Sequence, residues 1–179
     1  DFTKETALTI VNGHEKTYTV TLPALPTLET PKEYGALTYE IGEIKLNDGY
    51  YTSGAKAENG ELTLPIQKND VETTGSVGTV TVVIKSANYE DITLTVNVSA
   101  KNRITPTGTP TLSKNAIIYG DALNTIALSG KLHDNVNNVD VDGTFEWVDG
   151  THIPVVGNGT YAAEWIFEPT DTGKYLTVS

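Results

Sequence analysis

Ile92-Thr93-Leu94-Thr95-Val96-Asn97-Val98-Ser99 alternates without a break. Ile92, Leu94, Val96 and Val98 fall on one side, and Thr93, Thr95, Asn97 and Ser99 on the other. A strand with one face on a core and one in water reads this way, because successive side chains point to opposite faces. The same period recurs at Tyr18/Val20/Leu22, Leu62/Leu64/Ile66, Val80/Val82/Ile84, Phe145/Trp147 and Trp165/Phe167. Lys32 to Lys45 is the best stretch for a helix. It carries Gly35 and Gly42 and alternates as Leu37/Tyr39/Ile41, which favours a strand.

Turn dipeptides separate these runs: Asn12-Gly13, Asp48-Gly49, Asn59-Gly60, Asp142-Gly143 and Asp149-Gly150. Gly accepts positive φ and Asn or Asp tolerates it, so each reads as a hairpin. Short strands punctuated every ten residues or so predict an all-β fold of sandwich or barrel type. Composition agrees: the 179 residues include 28 Thr, and Tyr (9) outnumbers Phe (3). β-branched and half-exposed aromatic side chains suit pleated surfaces.

Polar Ala100 to Pro110, with Pro106 and Pro110, reads as a linker or the lead-in to a new first strand. We therefore expect two tandem β-sandwich domains, residues 1–101 and 102–179. The last alternation, Tyr175 to Ser179, stops as it starts, which suggests a piece cut from a longer protein. The start at Asp1, without a basic apolar leader, fits a mature product or such a piece.

The charge arithmetic removes several functions. With 23 Asp+Glu against 12 Lys+Arg the net charge is −11, so no nucleic-acid partner is expected. The chain has no Cys, hence no disulfide framework, thiolate zinc site or cysteine nucleophile. No apolar run approaches the roughly 18 residues that a bilayer requires, so no membrane insertion is expected.

Two stretches carry a family resemblance. Gly143-Thr144-Phe145-Glu146-Trp147, then Pro154, Gly157 and Tyr161, then Phe167-Glu168-Pro169-Thr170-Asp171 and Tyr175 resemble immunoglobulin-like repeats of the MBG or YDG type. Such repeats occur in multi-module surface proteins of Gram-positive bacteria. Asn12-Gly13 with Tyr18-Thr19-Val20, Gly49-Tyr50-Tyr51, Asn59 to Ile66 and Asn88-Tyr89 is similar to a companion module. The resemblance implies Ig-like sandwiches, an extracellular or cell-wall-associated home, and a non-catalytic role as spacer or adhesion module. Its partners would be neighbouring modules of the same chain, or host or matrix glycans and proteins. Leu25-Pro26-Thr27-Leu28-Glu29 begins a sortase-type signal but does not complete it.

Asn138, Asp140, Asp142, Gly143 and Asp149 fall at positions 1, 3, 5, 6 and 12 of an EF-type calcium loop. Position 12 lacks the bidentate Glu, and the plainer reading is a strand with Val139 and Val141 inward, turning at Asp142-Gly143. His14, His133 and His152 lie in three separate segments, without zinc spacing. No serine sits in a nucleophile elbow. Trp147 and Trp165 read as core. Tyr50-Tyr51 follow a turn, and one of the two must face away from the core. They are the candidates for stacking on a sugar ring in the alternative reading, a carbohydrate-binding module, calcium-assisted through Asn138, Asp140 and Asp142. A Lys85–Asn97 cross-link is a further reading, although both residues fall on the polar side of their strands. Asn97-Val98-Ser99 and Asn158-Gly159-Thr160 match the glycosylation sequon.

The readings separate on surface character. A binder should show exposed aromatic rings in a groove beside amides and acids. A spacer should show a flat, Thr-rich sheet.

Overall fold

The computed structural model describes residues 4–155 and 159–179, so Gly157 and Asn158 of the motifs above lie outside the described residues. The chain divides into two compact units, Asp1–Asn102 and Arg103–Ser179. It is all-β, with several sheets and a single 3₁₀ turn, Leu123–Thr125, among the described residues.

The first unit holds β1 (Glu5–Val11), β2 (Lys16–Thr21), β3 (Leu37–Leu46), β4 (Lys56–Glu58), β5 (Glu61–Ile66), β6 (Gly75–Ser86) and β7 (Ile92–Lys101). They form a four-stranded sheet in the order β1-β7-β6-β3 and a three-stranded sheet in the order β2-β5-β4. Both sheets feed one core. Leu62, Leu64 and Ile66 come from one sheet, and Ile10, Val80, Val82, Leu94 and Val96 from the other. The alternation sets the register: Val80 pairs with Val96 and Val82 with Leu94, so apolar side chains meet on one face.

The pairing of β1 is not visible in local pattern. It runs parallel to β7 for seven residues, from Glu5↔Thr95 to Val11↔Lys101. Lys4 O accepts from Thr95 N at 2.8 Å at one end, and Asn12 N donates to Lys101 O at 2.9 Å at the other.

Of the turn dipeptides in this unit, Asn59-Gly60 makes the two-residue hairpin. Both residues have positive φ (52° and 79°), and Glu58 pairs with Glu61 across it. Asn12-Gly13 instead carries the chain from one sheet to the other, since β1 and β2 belong to different sheets.

The second unit is built from two-stranded ladders: β8 (Thr111–Leu112) with β9 (Leu128–Ser129), β10 (Leu132–Asp134) with β11 (Val139–Val141), and β12 (Gly143–Trp147) with β13 (Trp165–Pro169). Its core is small: Leu132, Val141, Phe167 and Tyr175, flanked by Ile104, Phe145, Trp165 and Val178. Phe145 packs on Phe167 at 4.7 Å and on Trp165 at 5.4 Å between centroids, tilted as aromatic quadrupoles prefer. The Pro-rich lead-in belongs to this unit: Pro106 is buried, Ile104 bridges Tyr175 and Thr107 bridges His133.

Two local expectations are corrected here. Asp142-Gly143 makes no hairpin, because the chain passes extended from β11 into β12. The turn falls earlier, between Asp134 and Asn138, which takes φ 54°. Val139 faces solvent and only Val141 is buried. Gly143 is required by close approach rather than by a turn. A Cβ there would collide with the Glu168 carbonyl oxygen and the Phe167 ring on β13.

Candidate functional site

The β1-β7-β6-β3 sheet carries an outer face opposite the core. Its cross-strand rows are Thr9–Ser99–Ser76, Ala7–Asn97–Thr79, Glu5–Thr95–Thr81, Thr93–Val83–Glu40 and Lys85–Thr38. These are hydroxyls, an amide, methyl groups and single charges, with no aromatic ring among them. Thr9 and Ser99 join their hydroxyls at 3.1 Å, and Lys85 Nζ pairs with Glu40 at 2.7 Å. The Glu40 partner raises the Lys85 pKa, through its hydrogen bond first and its charge second. Lys85 and Asn97 are six residues apart in the β6–β7 register, since Asn97 pairs with Thr79. That separation rules out the cross-link.

Tyr50 and Tyr51 part company. Tyr50 is 5% exposed and Tyr51 63%. The Tyr50 hydroxyl donates to Asn12 Oδ1 at 2.9 Å and lies 3.2 Å from the Thr73 carbonyl. Burial raises its pKa, against a smaller opposing pull from Asn12. Asn12 in turn donates through Nδ2 to Thr73 O at 2.9 Å and to Asn102 Oδ1 at 2.7 Å. Tyr50 is therefore a pin in a buried polar network, and as a sugar platform it is a corrected expectation. The network ties the turn after β1 to the end of β7, so it finishes the job that the parallel ladder begins.

The calcium loop is not assembled. Asp140 sits opposite His133, its Oδ1 3.4 Å from Nδ1, and Asp142 takes Lys131 Nζ at 2.8 Å. The hydrogen bond from Lys131 to Asp142, with the charge behind it, raises the lysine's pKa. Asn138 holds the turn, and residues 139–147 run extended through β11 and β12, which carries Asp149 away. There Asp149 accepts from Thr151 Oγ1 at 2.9 Å. No group of three or more His, Asp or Glu side chains able to hold a metal occurs among the described residues. His133 faces Asp140, His152 stacks on Tyr161 at 5.0 Å, and His14 lies in the turn between β1 and β2.

Trp147 and Trp165 pair across β12 and β13. Trp165 packs on the core, and Trp147 Nε1 donates to Ile126 O at 2.8 Å. Beside them an open hollow of about 350 Å³ is lined by Val148, Ala163, Glu164, Trp165 and Ser179. Its side-chain carboxylate comes from Glu164.

Sequence reasoning missed Asp134, an acid held by four hydrogen bonds. It is fully buried. Oδ1 accepts from Val136 N at 2.9 Å and Asn137 N at 3.0 Å, and Oδ2 from Asn137 Nδ2 at 2.7 Å and the Tyr175 hydroxyl at 3.0 Å. Lys174 Nζ lies 3.7 Å away. Burial alone would push the Asp134 pKa up. The donors from Asn137, Val136 and Tyr175 outweigh it and hold the group at about 2. The signal was present in Asp134-Asn135-Val136-Asn137-Asn138, where an acid precedes a run of turn formers.

Asp134 secures the segment that closes the second unit. Ile104 N donates to Lys174 O and Leu176 N to Ile104 O, both at 2.9 Å, a parallel bridge between the unit's first and last segments. Val178 then pairs antiparallel with Phe167. The first unit closes in the same sense: β7 lies between β1, parallel, and β6, antiparallel. Comparison of the chain with protein-family models, with curated proteins and with solved structures found no match.

Proposed function

We propose that this chain is a pair of Ig-like modules from an extracellular bacterial surface protein, acting as a non-catalytic spacer and interaction segment. One observation carries the reading. In the first unit β1 runs parallel to β7, and in the second Ile104 makes a single bridge to Tyr175 in the same sense. Two parallel strands begin at one end and finish at the other. The first unit therefore takes the chain in at one end and releases it at the opposite end, and adds its own length to a series of modules.

The strand order of the first unit supports the Ig-like part. With β1 to β7 as strands A to G, β2-β5-β4 is B-E-D and β3-β6-β7 is C-F-G, the two sheets of that fold. Strand A is moved beside G. The Cys–Trp–Cys core of antibody domains has no counterpart here, and Val, Leu and Ile fill the space. The second unit has one parallel bridge, Ile104↔Tyr175, beside its antiparallel ladders.

The Thr-rich outer sheet supports spacer over sugar binder, because the discriminating groove of aromatic rings is not what that face presents. The excess of acid limits nonspecific association. Thermal melting against calcium, a chelator and a panel of wall and matrix glycans tests the reading. A ligand at a hundred times its dissociation constant stabilises by about 2.7 kcal/mol. The spacer reading predicts an unmoved midpoint throughout. A clear rise with one glycan or with calcium would replace it with the binding-module reading.

A further inference from the structure

We propose that the β1–β7 ladder is a mechanical clamp that lets the first unit bear tension along the chain. The inference rests on the spacer reading for its biological use but on geometry alone for its physics. Tension enters at the start of β1 and leaves at the end of β7. Because the two strands are parallel, these points lie at opposite ends of one ladder, seven residue pairs long. The load then acts along the strands and across the hydrogen bonds, so all of them are stretched together. Were the strands antiparallel, entry and exit would share one end and the bonds would part singly.

Three further features fit load bearing. The terminal bonds Lys4 O···Thr95 N and Asn12 N···Lys101 O extend the ladder past both ends of β1. The Asn12–Tyr50–Asn102 network anchors the exit end into the core. Leu8, Ile10, Val96 and Val98 bury the inner face of the pair, so water is kept from one side of the bonds. In the second unit the corresponding parallel contact is a single bridge, Ile104↔Tyr175, with Asp134 bracing Tyr175.

The test is single-molecule pulling of the full chain. Since the protein has no cysteine, introduced thiols are unique handles. Handles from Lys4→Cys and Lys101→Cys load the ladder along its length. Handles from His14→Cys and Lys101→Cys load it from one end. Both pairs report unfolding of the same unit, with released chain of about 320–350 Å and about 290–310 Å when fully extended. Circular dichroism and a melt of each variant confirm that it is folded before pulling. We expect the first geometry to rupture at several-fold higher force than the second at equal loading rate. Equal forces in the two geometries would overturn the clamp. Failure of the spacer reading, by a ligand-induced melting shift, would leave this force ratio unchanged, so the two claims fail separately.

Discussion

The carboxylate of Asp134 receives the hydroxyl of Tyr175 at 3.0 Å, across 41 residues of chain. This bond joins the β10–β11 turn to the closing segment of the second unit. A unit with so small a core depends on such a fastening more than a larger one would.

Tyr175→Phe removes the hydroxyl and leaves the ring in place. The expected cost is about 1.5–3 kcal/mol, the usual worth of a hydrogen bond to a charged group. In a unit of this size that lowers the melting midpoint by about 4–8 °C per kcal/mol. Both tryptophans, Trp147 and Trp165, lie in the second unit, so their fluorescence reports it alone. An unchanged tryptophan transition would show that the bond carries no load.

The same site sets an acid limit. The Asp134 pKa falls from 3.8 unfolded to about 2 folded. A lowered carboxylate pKa contributes stability above the unfolded value, and that contribution is lost as pH falls toward the folded value. The tryptophan transition should therefore weaken between about pH 4 and pH 2. Asp134→Asn should start from a lower midpoint and show a shallower pH slope over that window. An identical slope in the variant would assign the acid sensitivity to other carboxylates.

Gly143→Ala should destabilise the second unit by about 1–3 kcal/mol, the range for overpacking against atoms that cannot yield. The obstacle includes the Glu168 backbone, so a rotamer change does not relieve it. A tryptophan melt of the variant that matches the parent would mean that β12 and β13 lie further apart than described.

Tyr50 and Tyr51 should respond oppositely to mutation. Tyr50→Phe breaks the bond to Asn12 and should cost the first unit about 1 kcal/mol. Tyr51→Ala, on an exposed ring, should stay within about 0.5 kcal/mol. Far-ultraviolet circular dichroism melts read the difference. The reverse order would return Tyr50 to the surface.

The legible and illegible parts of this fold divide along a physical line. Burial of Leu94, Val96, Val98, Leu62, Leu64, Val80 and Val82 is written in a two-residue period, which is local. The all-β class follows from it. The pairing of β1 with β7 joins residues 90 apart, and no local period encodes that. Asp142-Gly143 misled because a glycine chosen for close approach looks like one chosen for a turn. Asp134 was missed because the turn formers that follow it mark a turn and do not say that the acid before them is buried. For the adjacent Tyr50 and Tyr51, alternation guarantees that one is inside but not which. The buried amide of Asn12, which decides it, lies 38 residues earlier.

The parallel register of β1 and β7 underlies the spacer reading, and a cross-link between the two strands tests it. Thr9 and Ser99 face each other in that register, their hydroxyls 3.1 Å apart on the outer face. Paired strand positions have the separation that a disulfide spans. Thr9→Cys with Ser99→Cys places the sole two thiols of the chain there. Under mild oxidation the account predicts an intramolecular disulfide, seen as loss of two hydrogens in the intact mass of the monomer. Free thiols or intermolecular dimers alone, in a folded protein, would contradict the parallel closure and the spacer reading built on it.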